Sequence, residues 1–192
     1  MELYDIFKSE HYQMTEVDPE EDSPIESGWT LNPAYARLRR KNPTRPMAPM
    51  EIKKDWEGKL KAMDESRNRF YYALRKRNAD EDLIGFVWIT NIEWTNGQGF
   101  LRFFFPDEES TSLYLPECLQ MALGYVFDEL NLFHIIMEIP SYAAKDVLII
   151  EEAGFQLEAR LREMIYFNQE RHDRLMYGLM AEEWRQAQGR TA

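Results

Sequence analysis

Three consecutive stretches between residues 69 and 105 are rich in aromatic and β-branched side chains, which favour β-strands. They cover residues 69–77, 83–94 and 99–105. Asn96 and Gly97, which both tolerate a positive φ, separate the last two stretches and predict a hairpin turn. The sequence therefore predicts an antiparallel meander as the centre of the fold.

An amphipathic helix is predicted directly after this meander. Its apolar residues recur at the i, i+4, i+7 and i+8 spacing of a buried helix face. They are Leu115, Leu119, Ala122, Leu123, Val126, Phe127 and Leu130. Ser110, Thr111 and Ser112 offer capping hydroxyls before this run, and Pro116 is tolerated in a first turn. The junction at residues 107–117, where a strand gives way to a helix, is the most informative stretch of the chain.

The C-terminal part of the chain also alternates between predicted strands and helices. Residues 133–139 predict an apolar strand, and residues 142–153 predict a helix that Gly154 ends at its C′ position. Two further strands are expected at 155–167 and 171–180, followed by a polar helix from Ala181.

The N-terminal third is predicted to be mainly helical. One or two short strands within residues 3–17 precede a helix that Pro19 opens, with Asp18 as its N-cap. A short basic helix at 33–41, a proline loop at 42–46 and a longer helix at 50–65 follow.

Length and charge limit the function classes. The 192 residues, 44% of them hydrophobic, are enough for one well-buried core, so we expect a single domain spanning residues 1–192. A net charge of −11 argues against nucleic acid as a partner, because phosphate backbones attract basic surfaces. The same charge favours a cationic substrate, although a need for solubility alone explains the negative charge equally well.

Cysteine, histidine and hydropathy patterns exclude further classes. Cys118 is the only cysteine, and we expect it to be a small buried thiol. His11 and His134 have no partners at ligand spacing, so no metal site is predicted. No apolar run reaches the roughly 18 residues that a membrane span requires. With no basic N-terminal region either, we expect no membrane partner and a cytoplasmic location.

Several local phrases resemble the GNAT superfamily of N-acetyltransferases, in particular the branch of ribosomal-protein N-terminal acetyltransferases. They are LIGFV at 83–87, GYVFDELNL at 124–132, EEAGF at 151–155, RLRE at 160–163, RHD at 171–173 and YGL at 177–179. Each phrase alone is weakly specific, and their order and spacing carry the resemblance. It covers residues 69–184 well and the N-terminal third only in outline.

The resemblance implies an α/β (α+β) fold. Its central sheet is mixed and mostly antiparallel, with about seven strands flanked by helices and a splay between the fourth and fifth strands. In this superfamily the pantetheine arm of acetyl-CoA lies in that splay, and its pyrophosphate rests on the N-terminus of the next helix, which favours anions. Acetyl-CoA is accordingly the expected co-substrate.

The resemblance also implies which residues bind acetyl-CoA. The pantetheine-facing strand carries Phe103, Phe104 and Phe105. The pyrophosphate loop would consist of Ser110, Thr111, Ser112, Leu113, Tyr114 and Leu115. The superfamily usually has glycines at the positions of Leu113 and Leu115, because the backbone must approach the phosphates closely. The acidic residues 107–109 would add repulsion, whereas the three hydroxyls could donate hydrogen bonds.

The catalytic positions implied by the resemblance are altered as well. The tyrosine that usually acts as general acid aligns with Ile150, which cannot donate a proton. Tyr142 and Asp146 are candidate substitutes at the start of the same helix, and Glu138 is a candidate base. Ordinary capping, surface or strand roles remain the alternative for all three.

Other polar residues near the expected site have simpler interpretations. Tyr166 could border the substrate pocket but suits strand packing, and His172 is interpreted as structural. The basic residues of the short N-terminal helix are interpreted mainly as a solvated face near the substrate entrance. They are Arg37, Arg39, Arg40 and Lys41.

The leading hypothesis is an acyltransferase that moves an acetyl group from acetyl-CoA to a primary amine, either a protein N-terminus or a small polyamine-like molecule. The alternative is a non-catalytic protein of the same fold that has lost acetyl-CoA binding and serves in interactions. An enzyme with another acyl donor lies between these two. The sequence leaves a homodimer open.

Overall fold

The predicted meander forms three strands of a seven-stranded sheet in the computed structural model of the chain, which describes residues 5–39 and 44–189. The strands are β1 (Tyr12–Thr15), β2 (Phe70–Lys76), β3 (Leu83–Glu93), β4 (Gln98–Phe104), β5 (His134–Pro140), β6 (Gln156–Phe167) and β7 (Glu170–Met180). Their spatial order is β1-β2-β3-β4-β5-β7-β6, and every neighbouring pair is antiparallel except β4 with β5. The predicted fold class is confirmed.

Six helices flank this sheet within the described residues. They are α1 (Pro19–Trp29), α2 (Pro33–Arg39), α3 (Pro49–Ser66), α4 (Glu108–Gly124), α5 (Ala144–Glu152) and α6 (Ala181–Ala187). A π-helical turn, Tyr125–Glu129, extends α4. Asp18 caps α1 as predicted, because its carboxylate accepts the N–H groups of Glu20 and Glu21.

The two faces of the sheet carry separate apolar cores. One core packs against α4, α5 and α6 and includes Leu101, Leu119 and Ile150. The other packs against α2 and α3 and includes Phe104 and Trp56. Cys118 is fully buried in the first core, as expected, and burial raises the pKa of its thiol.

The β4–β5 pair is the feature that positions the site. These parallel strands form ladder pairs only at their first residues, Gln98 with His134 through Phe100 with Ile136. Beyond Phe100 and Ile136 the strands have no ladder pairing with each other. The sheet is therefore splayed between its fourth and fifth strands, and the gap widens toward the ends where α4 and α5 begin.

The structure agrees with two local expectations and corrects a third. The β3–β4 turn lies where the sequence predicts it, and in this turn Gly97 has a positive φ of +62° whereas Asn96 does not. Within the described residues, the N-terminal region contains one strand, β1, together with an isolated bridge between Lys8 and Gln13, where one or two strands were predicted. Helix α4 begins at Glu108, well before the apolar pattern indicates, because Asp107 supplies an N-cap.

Candidate active site at the open end of the sheet

The gap between β4 and β5 exposes two strand edges to each other. Residues 101–104 of β4 and 137–140 of β5 border it, and each strand is paired on its other side, with β3 and β7 respectively. An extended ligand with amide groups can pair with such an edge as an added strand does.

The first turn of α4 closes one end of this gap. Asp107 accepts the backbone N–H of Ser110 at 2.8 Å through its carboxylate. The hydroxyls of Thr111 and Ser112 donate to the carbonyl oxygens of Asp107 and Glu108, at 2.8 and 2.9 Å. The expected loop at 110–115 is therefore helical, and two of its three hydroxyls bond to their own helix.

The charges at this helix end are mainly acidic. Glu108 and Glu109 follow the Asp107 cap in the first turn. Lys145 of α5 forms a 2.9 Å ion pair with Glu108 and so links the first turns of both helices. A helix N-terminus attracts anions, but these carboxylates oppose that attraction.

The predicted cofactor-binding aromatic residues divide between the two faces of the sheet. Phe104 is buried against Trp88, with ring centroids 4.2 Å apart. Phe103 and Phe105 point to the opposite face and stack at 6.0 Å with an interplanar angle of 8°. Their role in cofactor binding stays a prediction.

Gly85 of β3 allows the end of β4 to approach closely. A Cβ atom at this position would lie 2.6 Å from the ring of Phe105 and 2.7 Å from the carbonyl oxygen of Phe104. The glycine therefore allows Phe104 and Phe105, at the end of β4, to pack directly against β3.

The residues expected to contact pyrophosphate differ in exposure because they lie on a helix. Leu115 is buried in the core, whereas Leu113 is 62% exposed. Tyr114 packs its ring against Tyr12 at 5.4 Å. Phosphate binding by this segment stays a prediction. The segment that would bind the phosphates is helical and is not a loop.

Asp146 and Tyr142 both lie at the start of α5, beside the gap. Burial, reinforced by the nearby Glu108 carboxylate and opposed by Lys145, raises the pKa of Asp146 from 3.8 to about 6. Burial also raises the pKa of Tyr142. Ile150, in the last turns of the same helix, is fully buried in the core and offers no proton.

Tyr142 is part of an aromatic contact with the β6–β7 hairpin. Its ring stacks on Phe167 of β6 at 4.6 Å and meets His172 edge-on at 5.0 Å. The guanidinium of Arg37 lies 4.7 Å from the centre of the Phe167 ring. Helix α2 is thereby linked to the β6–β7 hairpin, while Tyr166 remains largely exposed on β6.

Glu138 lies on β5 and faces the gap from one side. Its carboxylate forms an ion pair with Arg102 of β4, across the gap, and a 3.5 Å contact with Arg174 of β7. The sequence singled out Glu138 but neither arginine. Alternation along β4 would have placed Arg102 on the same face as Phe104, but its partner depends on the register of another strand.

Sequence comparison identifies the family. Residues 51–176 match the family model described as an acetyltransferase (GNAT) domain. The chain belongs to this family. No curated protein sequence matches the chain.

Solved structures resemble this GNAT domain over nearly its whole length. Spermidine N-acetyltransferase from Vibrio cholerae in complex with CoA and spermine is 17% identical, with a TM-score of 0.74, over 92% of this chain and 99% of that chain. A dodecameric form of spermidine N-acetyltransferase from Vibrio cholerae gives 0.72 at 17% identity, over 92% and 97%. A probable acetyltransferase gives 0.75 at 19% identity, over 92% and 96%. At these identities the likeness supports the fold.

The comparisons support the superfamily but not the narrower branch predicted from sequence. The similar structures named above are spermidine N-acetyltransferases and a probable acetyltransferase, and ribosomal-protein N-terminal acetyltransferases are not among them. The short phrases that favoured that branch belong to strands and helix ends of the common fold.

The face of the GNAT domain beneath α2 and α3 contains a polar cluster that the sequence did not reveal. Glu26 is fully buried and accepts hydrogen bonds from Tyr35 at 2.9 Å, Trp56 at 2.6 Å and Arg39. Arg39 also pairs with Asp55 at 2.8 Å.

This cluster corrects the interpretation of the basic patch as a solvated face. Arg39 is 6% exposed and is bonded within the cluster. Arg40 and Lys41 lie outside the described residues. Helical spacing alone did not reveal that Arg39 is buried, because its acidic partners come from two other helices.

The residues that the structure describes contain neither a candidate metal site nor a helix that could span a membrane. Across residues 5–39 and 44–189, no three histidine, cysteine, aspartate or glutamate side chains converge to hold a metal ion. Within the same ranges, no helix is long and apolar enough to cross a membrane.

Proposed function

We propose that this GNAT domain transfers an acetyl group from acetyl-CoA to a primary amine. The observation that carries the proposal is the splay between β4 and β5, which opens onto the first turns of α4 and α5 in a chain of this family. This gap offers unpaired strand edges for an amide-containing arm. Two helix N-termini at its end favour negative charge through their dipoles.

Acetyl-CoA would lie with its pantetheine arm along β4, beside Phe103, Phe104 and Phe105. The first turn of α4 would face the pyrophosphate, and Lys145 supplies a cation there. The acidic residues of that turn weaken this contribution, so we expect modest affinity for acetyl-CoA.

Proton transfer is assigned to the start of α5. The acceptor nitrogen attacks the thioester carbonyl, its proton passes to a base, and the CoA thiolate leaves with a proton from an acid. Asp146 suits the base, because a pKa of about 6 is close to neutral pH. Tyr142 suits the acid, because its raised pKa keeps the phenol protonated. Glu138 is assigned to positioning, because two arginines engage its carboxylate.

The acceptor, the assembly and the location belong to the same proposal. A small amine is favoured over a protein N-terminus, in line with the spermidine acetyltransferases of similar fold. One of those structures is dodecameric, and we propose that this chain also self-associates, as a homodimer or a larger assembly. We assign the activity to the cytoplasm.

One observation favours the alternative of a non-catalytic interaction protein. Asp107 fills the capping position of α4 with its own carboxylate, and the following turn contains no glycine. If this arrangement blocks the phosphates, the splay would serve another extended ligand or none.

Isothermal calorimetry and thermal unfolding with acetyl-CoA distinguish these possibilities. A ligand that binds only the folded state raises the melting temperature in a saturable way. We expect saturation below about 1 mM acetyl-CoA, together with thiol release when a primary amine is added. Neither binding nor a thermal shift at millimolar acetyl-CoA would refute the proposal and favour the interaction protein.

A charge-reversal pair locates the binding site. Lys145→Glu should weaken acetyl-CoA binding about tenfold, because it replaces the cation at the helix ends with a further anion. The matched control is Lys61→Glu on α3, where Lys61 forms an exposed ion pair with Glu65 at 3.9 Å, far from the gap. Equal effects of both substitutions on acetyl-CoA binding would show that the pyrophosphate binds away from Lys145.

A further inference from the structure

We infer that the acceptor amine carries a carboxylate, and that this carboxylate binds beside Trp88, between Arg39 and Arg102. The inference rests on the proposed acetyl transfer and names the chemical class of its acceptor. It is an amino-acid-like molecule rather than a polyamine.

Three buried N–H donors around Trp88 lack an acceptor. They are Nη2 of Arg39, Nε1 of Trp88 and Nε of Arg102, and none has a hydrogen-bond partner among the described residues. A buried donor without a partner destabilises a protein, because it has lost its hydrogen bonds to water and gained none in return. Three such donors in one place therefore call for an acceptor group from a ligand.

The fold brings these donors together from three elements. Trp88 of β3 and Arg102 of β4 are direct partners in the strand register, so their side chains share one face of the sheet. Arg39 of α2 lies over the same face, with its guanidinium 5.0 Å from the centre of the Trp88 ring. Lys59 of α3 lies 5.1 Å from that ring.

Arg39 is a fixed part of this arrangement. Its residue is 6% exposed, and Glu26 and Asp55 hold its Nε and Nη1 atoms. The third nitrogen of the guanidinium, Nη2, is therefore the one left to bind a ligand. A guanidinium held on two sides presents its third nitrogen at a defined place, as recognition of a carboxylate requires.

Donor chemistry decides against a polyamine at this position. Ammonium groups carry N–H donors and no acceptor lone pair, so they cannot satisfy Arg39, Trp88 or Arg102. A carboxylate has two acceptor oxygens and can satisfy several donors at once.

The local charge agrees with this choice, although the whole chain has a net charge of −11. Around Trp88, four cations form ion pairs with three carboxylates. The cations are Arg39, Lys59, Arg102 and Arg174, and the carboxylates are Glu26, Asp55 and Glu138.

The position also fits the proposed reaction. Arg102 links the Trp88 face to Glu138 across the gap in which the thioester is expected. An acceptor whose carboxylate lies at Trp88 can extend its amine toward that gap. The amine and the carboxylate would therefore be separated by a few bonds.

The test compares two acid–amide pairs of amines, each pair differing only in the anionic group, and adds a polyamine. Acetyl transfer is measured by thiol release for 4-aminobutanoate, for 4-aminobutanamide and for spermidine, and the same comparison is made for glycine and glycinamide. We expect kcat/KM for the better acid to exceed that of its amide by about tenfold or more, because charged hydrogen bonds contribute about 1.5–3 kcal/mol. Equal rates for acid and amide, or a preference for spermidine, would overturn the inference.

Substitutions assign the preference to this site. Trp88→Phe removes one donor and keeps an aromatic ring, and Arg102→Gln removes the positive charge of a second donor while leaving a neutral amide N–H. Each should reduce the acid-over-amide ratio several-fold, and for Trp88→Phe, on a strand that does not border the gap, the Kd for acetyl-CoA measured by calorimetry should stay unchanged. The matched controls are Trp29→Phe on α1 and Arg160→Gln on β6, which should keep the wild-type ratio. Circular dichroism and urea midpoints establish that each variant is folded.

The outcomes separate this inference from the proposed function. Absence of acetyl-CoA binding would refute the proposed function itself. Binding and acetyl transfer without discrimination between acid and amide would leave the proposed function standing and refute only the carboxylate site. A ratio that survives both Trp88→Phe and Arg102→Gln would place the carboxylate elsewhere and also refute it.

Discussion

Arg102 on β4 and Glu138 on β5 form an ion pair across the gap that separates these strands. The strands have no ladder pairing at this level, so the side chains connect what the backbone leaves apart. Arg174 contacts the same carboxylate at 3.5 Å from β7. Glu138 is therefore held between two cations on either side of the cleft.

Glu138→Gln should act on positioning rather than on proton transfer. We expect kcat to fall by less than about tenfold and the pH dependence of kcat/KM to keep its shape, because the proton is taken elsewhere. Initial rates at saturating acetyl-CoA between pH 5 and 9 measure this. A fall of more than about a hundredfold, with loss of the acidic limb, would identify Glu138 as the base.

Asp146 should give the pH profile its acidic limb. A base acts in its ionised form, so kcat/KM of the wild type is expected to rise with pH through about 6, the pKa of Asp146. Asp146→Asn should lower kcat/KM about 100-fold or more and remove this limb. An unchanged profile in the variant would exclude Asp146 as the base.

The same residue makes a prediction for stability. The pKa of Asp146 is raised in the folded state, so its contribution to stability is complete below its unfolded pKa and is lost as pH rises through about 6. Asp146→Asn should therefore gain stability relative to the wild type between pH 4 and pH 7. Urea unfolding at both pH values measures the difference, and a constant difference would contradict the assigned cause.

Glu108→Gln should strengthen acetyl-CoA binding by roughly two- to fivefold. The substitution removes a carboxylate from the first turn of α4 and releases Lys145 from its ion pair. Calorimetry measures Kd, and the effect should shrink with added salt. Glu152→Gln, at the far end of α5, serves as the control. Weaker binding in Glu108→Gln would place the phosphates away from this turn.

Glu26→Ala should destabilise the fold by about 3–5 kcal/mol. The substitution leaves Arg39 without its buried counter-charge and removes the acceptor of Tyr35 and Trp56. The free energy of unfolding in urea measures this loss. Glu65→Ala, which removes an exposed ion pair with Lys61, should change it by less than about 0.5 kcal/mol. Similar small losses of unfolding free energy in both variants would show that the hydrogen bonds and the ion pair of Glu26 do not stabilise the fold.

Gly85→Ala should destabilise the protein by about 1–3 kcal/mol, because the added methyl group overlaps the backbone oxygen of Phe104 and the ring of Phe105. Acetyl-CoA binding should weaken in parallel, since these atoms border the gap. Gly58→Ala on α3 is the control, because a Cβ atom there contacts nothing within 4 Å. It should stabilise α3 by up to about 1 kcal/mol. Equal stability of the two variants would contradict the close approach.

Periodicity in the sequence was sufficient for the order of strands and helices. The β2–β4 meander, the strand at 134–140 and the two C-terminal strands all occur where the patterns place them. The start of α4 was missed because its apolar face begins at Leu115. The acidic first turn and the Asp107 cap were the local signals that marked the true start.

The candidate site was only partly predictable. The roles of Tyr142, Asp146 and Glu138 stay predictions, and the environments of these residues are formed by other segments of the chain. The pKa of Asp146 depends on burial and on Glu108, which lies 38 positions earlier in the chain. Overall charge also does not show the local balance around Trp88, where Arg39, Lys59, Arg102 and Arg174 form ion pairs with three carboxylates.

The sequence by itself determined the element order and the family of this protein, because both follow from local patterns of apolar, turn and capping residues. Only the tertiary structure decided which charges meet. Arg39 is buried against Glu26, and Arg102 pairs with Glu138, because helix packing and strand register bring together residues that are distant in the chain. Such pairings depend on the relative placement of whole elements, which the spacing within any one of them does not contain.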